Sequence, residues 1–308
     1  MSDVRSSSAD EFRLGLVQMR CRGAVGDNHA AAAAGIREAA RRGAQIVCLQ
    51  ELFATPYFCQ SENAACFDLA EPIPGPSTER YARLAAELSV VLVVPLFERR
   101  AAGLYHNAAA VLDADGSIAG VYRKTHIPDD PQYLEKFYFT PGDLGYGVFE
   151  TRFARIGVLI CWDQWYPEAA RLTALGGAEL LVCPTAIGWL PADRGEDGLA
   201  QCDAWRIVQQ GHAIANGVYL AAVNRVGRED SAAGHLEFWG RSFVCDPQGR
   251  VLAEAAPDRP DVIVASCSRR RIEDLRREWP FLRDRRIDTY APLTRRYLDG
   301  PPGRDPAG

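Results

Sequence analysis

The stretch RIGVLICWDQWYPEAAR, residues 155–171, joins an apolar run, a cysteine and the beginning of a helix. The run 155–160 predicts a buried strand, and Pro167 is typical of the first turn of a helix. Cys161 stands between the two. A side chain at such a turn projects from the end of a sheet, and the backbone N–H groups after it point at whatever binds there. Acyl transfer by a thiol needs this arrangement, although a buried structural cysteine has the same context.

Outward from this stretch, strands and helices alternate, and the second half repeats the order of the first. The predicted elements of the first half are strand 12–19, helix 27–42, strand 45–49, helix 78–88, strand 90–96 and a hairpin of 106–112 with 118–122. Those of the second half are strand 155–160, helix 167–175, strand 179–183, helix 199–216, strand 219–224 and a hairpin of 241–244 with 251–254. This order predicts one α/β domain over residues 12–298, built from two similar halves with mixed sheets and outer helices. Residues 1–11 are expected to be a disordered leader and 299–308 a loose tail.

Composition excludes several classes of protein. The net charge of −5, from 35 basic and 40 acidic residues, gives no basic footprint for nucleic acid. The arginines of 269–286 alternate with acids, which is typical of a solvated helix face. No apolar run approaches the roughly 18 residues of a membrane span. Nine cysteines, an odd number, without a secretion signal indicate reduced thiols in the cytoplasm. No spacing of cysteines or histidines suggests a metal site, and no cofactor is expected.

A nucleophilic cysteine needs a base, and the sequence offers a carboxylate more readily than a histidine. None of the five histidines, at 29, 106, 126, 212 and 235, lies in an orienting motif. Glu51 ends the strand 45–49 in apolar surroundings, where a carboxylate becomes a stronger base. Lys124 follows the first hairpin, where it is placed to hold an oxyanion. Taken singly, each residue is equally compatible with a structural role at a strand end.

Three contexts together resemble the carbon–nitrogen hydrolase (nitrilase) superfamily: LQELF at 49–53, YRKTHIP at 122–128 and ICWDQWYPEAAR at 160–171. The resemblance runs from about Phe12 to Leu298. It implies that Glu51 is the base, Lys124 the oxyanion partner and Cys161 the nucleophile, and that Glu135 orients the lysine and the substrate amide. It also implies a four-layer α-β-β-α sandwich with two mixed sheets, assembled as a homodimer or higher homo-oligomer across the outer helices.

Within the superfamily, four further runs are similar to the branch that hydrolyses N-carbamoylputrescine: 126–143, 184–189, 212–227 and 237–249. Asp130 stands where that branch is expected to have glycine. The resemblance implies cleavage of a linear ureido group through a Cys161 thioester, with the oxyanion held by Lys124 and the Trp162 N–H. The products would be putrescine, carbon dioxide and ammonia.

The far end of a diamine substrate carries a cation, which a carboxylate or aromatic faces would bind. The candidate substrate-binding residues are Trp162, Asp129, Tyr138, Asp163, Trp165 and Glu237, with Asp130 and Trp239 as further possibilities. Asp163 is equally well placed to brace the turn at Cys161.

Two other functions stay open at this point. A β-ureidopropionase or an N-carbamoyl amino acid amidohydrolase would bind a substrate that ends in a carboxylate, so its pocket needs a basic residue such as Arg194, Arg206 or Arg241. A scaffold protein without activity would not need the full set of Glu51, Lys124 and Cys161. The expected partner is therefore a small carbamoyl amine or amide, not a nucleic acid or a membrane.

Overall fold

The computed structural model describes residues 10–190, 195–232 and 234–298. The tail 299–308 and residues 1–9 of the predicted leader lie outside these ranges. Glu11, which the sequence placed in the leader, is the first residue of a strand because it pairs with Ser268 of another strand. Among the described residues, no helix has the length and apolar character that crossing a membrane requires.

Five strands of the first half of the chain and one strand near its C-terminus form a six-stranded sheet. Its strands are β1 (Glu11–Gln18), β2 (Ile46–Leu49), β3 (Val91–Ala101), β4 (Leu104–Leu112), β5 (Ile118–Arg123) and β15 (Asp261–Ser268). They lie in the order β15-β1-β2-β3-β4-β5. β1, β2 and β3 are parallel, and the other pairs are antiparallel, so the sheet is mixed as predicted. The helices of this half are α1 (Val25–Arg41) and α2 (Pro76–Leu88).

The second half forms a similar sheet. Its strands are β6 (Val148–Glu150), β7 (Arg155–Val158), β8 (Leu180–Pro184), β10 (Tyr219–Val223), β13 (Phe243–Cys245) and β14 (Val251–Glu254). They lie in the order β14-β13-β10-β8-β7-β6. The helices of this half are α3 (Pro167–Leu175) and α4 (Glu196–Asn216), and α5 (Arg269–Glu278) follows β15.

Successive side chains of a strand point to opposite faces of its sheet. Each sheet therefore packs on one face against the other sheet and on the other face against helices. Ile46 and Cys48 of β2 face the centre together with Leu180 and Val182 of β8, so the two sheets pack face to face. The next residues along β2 face α1 and α2, and those along β8 face α3 and α4. The predicted four-layer α-β-β-α fold is confirmed.

The second half is not a plain repeat of the first. A three-stranded sheet, which the sequence did not reveal, is inserted after β8 and β10. It consists of β11 (Val226–Ser231), β12 (Gly234–Trp239) and β9 (Gly188–Trp189), in the order β11-β12-β9. Its strands contain charged residues and glycine, so they lack the apolar runs that predict buried strands. This sheet covers one end of the sandwich beside Cys161.

Candidate active site

Cys161 begins a short 3₁₀ turn (Cys161–Trp165) between β7 and α3. Its φ of 46° lies in the left-handed region, which non-glycine residues seldom occupy. Such strain persists only where surrounding contacts hold it, and it is frequent at functional sites. The strand, turn and helix predicted around Cys161 are therefore present, with the thiol at a strained turn.

Asp163 provides much of that support. Its carboxylate accepts hydrogen bonds from the backbone N–H of Ile160 (3.0 Å) and from the Tyr122 hydroxyl (2.7 Å). It also accepts one from the backbone N–H of His126 (2.8 Å), and the His126 ring lies at the same distance. Asp163 is completely buried. These contacts favour the bracing role for Asp163 over contact with substrate.

Lys124 follows β5 directly and is completely buried between two buried carboxylates. Its Nζ donates to Glu51 Oε1 at 2.8 Å and to Glu135 Oε2 at 2.6 Å. Buried charges are tolerated when they are paired and hydrogen-bonded in this way. The structure thus joins Glu51, Lys124 and Glu135, which are up to 84 positions apart in sequence, into one charged group.

Two residues that the sequence did not suggest complete this group. The Tyr57 hydroxyl donates to Glu135 Oε1 at 2.6 Å, and Asn107 Nδ2 donates to Glu51 Oε1 at 2.7 Å. Glu51 Oε2 is buried and has no hydrogen-bond partner among the described residues. One oxygen of Glu51 is therefore fixed, while the other is available to accept a proton.

The charges of this group act on Cys161. Burial raises the pKa of the Cys161 thiol well above its ordinary value, the negative charge of Glu51 raises it further, and Lys124 lowers it. Burial, opposed by Lys124 and reinforced by the charge of Glu51, raises the pKa of Glu135 to about 7. Burial alone would lower the pKa of Lys124, but the two carboxylates keep it well above its ordinary value. A thiol with its pKa raised in this direction holds its proton, so it would need a base in order to act as a nucleophile.

Cys161 lies in the wall of a cavity of about 450 Å³. The lining residues are Pro128, Asp130, Pro131, Tyr133, Cys161, Trp162, Trp165, Ile187, Gly188, Leu190, Gln201 and Trp239. Asp130 is the only charged residue in this described lining. An apolar and aromatic wall with few polar groups is typical of a small-molecule site.

Comparison with known proteins agrees with this geometry. The model of the family described as carbon-nitrogen hydrolase matches residues 13–277. The chain belongs to the carbon–nitrogen hydrolase family. The superfamily resemblance inferred from the sequence is thereby confirmed, and the protein is an amidohydrolase.

Similar proteins align with nearly the whole length of the hydrolase. An N-carbamoylputrescine amidase of Arabidopsis thaliana is 47% identical over 90% of this chain and 93% of its own length. A citrullinase of Francisella tularensis is 41% identical over 93% of this chain and 99% of its own length. The crystal structure of a carbon–nitrogen hydrolase from Helicobacter pylori G27 is 47% identical, has a TM-score of 0.90 and covers 94% of this chain and 100% of its own.

Only some of the predicted substrate-binding residues of the hydrolase line the cavity. Trp162 and Trp165 line the cavity, whereas Asp129, next to the lining residue Asp130, does not. Tyr138 is buried in an aromatic cluster, where its hydroxyl accepts a hydrogen bond from the backbone N–H of Asn63 at 2.8 Å. Tyr138 is therefore occupied away from the cavity.

The remaining charged candidates also lie outside the lining. Glu237 belongs to β12 and pairs with Trp189 of β9. Arg206 forms an ion pair with Glu254 at 2.9 Å, Arg241 is not part of the lining, and Arg194 is outside the described residues. Within 10–190, 195–232 and 234–298, no group of three or more His, Cys, Asp or Glu side chains is arranged to hold a metal ion.

Proposed function

We propose that the hydrolase cleaves N-carbamoylputrescine through a covalent thioester on Cys161. The observation that carries the chemistry is the free Oε2 of Glu51, buried in the charged group that acts on the Cys161 thiol. The Sγ attacks the ureido carbon while its proton passes to Glu51. Lys124 and the backbone N–H of Trp162 hold the oxyanion. Glu135 keeps Lys124 in place through their 2.6 Å contact.

The second half of the reaction uses the same residues. Glu51 returns the proton to the leaving nitrogen, the carbon–nitrogen bond breaks and ammonia departs. Glu51 then removes a proton from water, whose oxygen attacks the thioester and displaces the Cys161 sulfur. The product is a carbamic acid, which decomposes to putrescine and carbon dioxide. One water is consumed for each ammonia and each carbon dioxide released.

The cavity supports a substrate with a distal cation. Asp130 lines it, and Trp162, Trp165 and Trp239 present aromatic faces, while no basic residue belongs to the described lining. Among these described lining residues, a substrate ending in a carboxylate would find no counter-charge. The similarity of this chain to N-carbamoylputrescine amidases also supports a substrate with a distal cation. These observations favour a diamine over citrulline, N-carbamoyl-β-alanine and N-carbamoyl amino acids.

A substrate panel tests this choice. Ammonia release from N-carbamoylputrescine, citrulline, N-carbamoyl-β-alanine and N-carbamoyl amino acids is measured as kcat/KM. We expect the value for N-carbamoylputrescine to exceed each of the others by about tenfold or more, because a substrate that ends in a carboxylate loses the attraction of Asp130 and also brings an uncompensated negative charge next to it. A higher value for any substrate that ends in a carboxylate contradicts the proposal.

Asp130→Asn is expected to raise KM for N-carbamoylputrescine by about 1.5- to 5-fold and to leave kcat unchanged. The effect is modest because Asp130 is exposed to solvent, which screens its charge. Butylurea, which lacks the distal amine, should be hydrolysed equally well by the variant and the natural protein. Asp129→Asn is the matched control, since the neighbouring acid does not line the cavity. An equal KM increase in both variants contradicts the role of Asp130.

We also propose that the hydrolase forms a homo-oligomer through α3 and α4. Leu172, Leu199 and Ile207 of these outer helices are 50%, 61% and 65% exposed, and the two helices contact each other. Large apolar side chains exposed on two neighbouring helices support an interaction site on this face. Ile207→Glu should shift the mass measured by light scattering down to that of a monomer, whereas Ile118→Glu, at the distant edge strand β5, should not. A natural protein that is already monomeric contradicts this proposal.

A further inference from the structure

A buried arginine holds the turn that carries the candidate base. Arg225 lies between β10 and β11, and its side chain is completely buried. Its Nη2 donates to the backbone carbonyls of Glu51 (3.1 Å) and Leu52 (2.8 Å), and its Nη1 donates to that of Thr55 (2.9 Å). A single guanidinium therefore binds three carbonyl groups of this turn, including that of Glu51 itself.

The turn needs this support. Leu52 has a φ of 47°, in the left-handed region that disfavours leucine. The three carbonyl oxygens lie around one guanidinium. Without it they would repel each other and lose hydrogen bonds in a buried setting, although the Leu52 carbonyl also accepts the backbone N–H of Thr55 at 3.3 Å. The planar fork of an arginine satisfies several acceptors at once, which the single ammonium of a lysine does not reproduce.

Glu229 extends the same network to the second carboxylate of the site. One of its oxygens pairs with Arg225 Nη1 at 2.8 Å, and the other accepts the backbone N–H of Tyr57 at 2.6 Å. The Tyr57 hydroxyl in turn donates to Glu135. Arg225 therefore binds the backbone of Glu51, and Glu229 reaches the Glu135 carboxylate indirectly, through the backbone N–H and the hydroxyl of Tyr57.

We propose that Arg225, with Glu229 as its counter-ion, is a positioning residue that holds Glu51 where it removes the proton of Cys161. This inference rests on the roles proposed above for Glu51 and Cys161. Arg225 is completely buried and both of its Nη atoms are hydrogen-bonded to the turn and to Glu229, so it acts through Glu51 and not through contact with substrate. A displacement of the base changes the rate of proton removal and leaves the substrate contacts in place.

Arg225→Lys tests the proposal because it keeps the charge and loses the fork. We expect kcat to fall about 10- to 100-fold with KM changed less than about threefold, as for a small misplacement of a reacting group. Alkylation of Cys161 by iodoacetamide should slow by a similar factor. In that reaction the sulfur–carbon bond forms, iodide leaves and the thiol proton again passes to Glu51. Arg269→Lys, which alters an ion pair with Glu179 remote from Cys161, should change neither rate.

Near-UV circular dichroism and a cooperative thermal unfolding transition serve to verify that each variant is folded. A folded Arg225→Lys protein with unchanged kcat, or with unchanged alkylation of Cys161, overturns the proposal. If that variant does not fold, Glu229→Gln carries the test: parallel slowing of hydrolysis and alkylation supports positioning, and unchanged rates overturn it. Alkylation needs no substrate, so a failure of the natural protein to hydrolyse N-carbamoylputrescine would refute the substrate assignment without affecting this result.

Discussion

Cys161→Ala is expected to release no measurable ammonia from N-carbamoylputrescine, a loss of at least about 10⁴-fold in kcat. Alanine removes the sulfur that forms the thioester, and no other cysteine belongs to the described cavity lining. Cys161→Ser is expected to be almost as inactive, because a hydroxyl is a much poorer nucleophile without stronger activation. Ammonia release is followed at substrate concentrations well above KM.

Both variants should stay folded, since alanine and serine fit the space of the thiol. Cys267→Ala, which removes a buried cysteine of β15 in the core between the sheets, should keep the activity of the natural protein. Mass spectrometry after a short treatment with iodoacetamide should find the label on Cys161 of the natural protein and on no other buried cysteine. Appreciable turnover by Cys161→Ala would exclude Cys161 as the nucleophile.

Glu51→Gln should lower kcat/KM by about 10²- to 10⁴-fold, the range expected for loss of a general base. The glutamine still accepts hydrogen bonds from Lys124 and Asn107, so the site keeps its shape while the proton acceptor is lost. The natural protein should lose activity as the pH falls through about 7, because Glu135 then takes up a proton and its charge no longer holds Lys124. In the variant this acid limb should lie at lower pH in the profile of kcat/KM measured between about pH 5 and pH 9.

The pKa of Glu135 should differ between the natural protein and Glu51→Gln, and the two pH profiles can show this difference. The negative charge of Glu51 contributes to raising the pKa of Glu135 to about 7. Removing that charge lets the pKa of Glu135 fall, so any limb left in Glu51→Gln must move to lower pH. Glu179→Gln, far from the cavity, serves as the control for loss of a carboxylate. A limb at the same pH in the Glu51→Gln protein and the natural protein would contradict this coupling between Glu51 and Glu135.

The geometry also bears on the base in the proposed mechanism. A cysteine beside a lysine is often assumed to be a thiolate, yet burial and Glu51 together keep the Cys161 pKa high. Lys124 is shared between two carboxylates, so little of its charge is left to stabilise a resting thiolate. In the proposed mechanism, Lys124 acts when negative charge develops on the substrate oxygen. Its positive charge then stabilises the transition state.

Much of this molecule was predictable from local sequence patterns. Alternating apolar residues specify which face of each strand is buried, and the order of strands and helices specifies two similar α/β halves with outer helices. The resemblance to the superfamily implied their arrangement in four layers. The residues around Cys161 specify a strand, a turn and a helix, since proline and the apolar run act within a few positions. The motifs around Glu51, Lys124 and Cys161 identified the superfamily because they are contiguous.

Tertiary structure alone decided the rest. Arg225 contacts the Glu51 carbonyl across 174 positions of sequence, and the bond from Tyr57 to Glu135 spans 78. The sequence does not distinguish Asp130, which lines the cavity, from its neighbour Asp129, which does not. Such contacts depend on how the two halves pack, and no periodic pattern records them. The sequence by itself determined the two α/β halves and the turn that carries Cys161, whereas packing determined which buried charges and carbonyls reach the site, because a buried polar group is stable only where the folded chain supplies its partner.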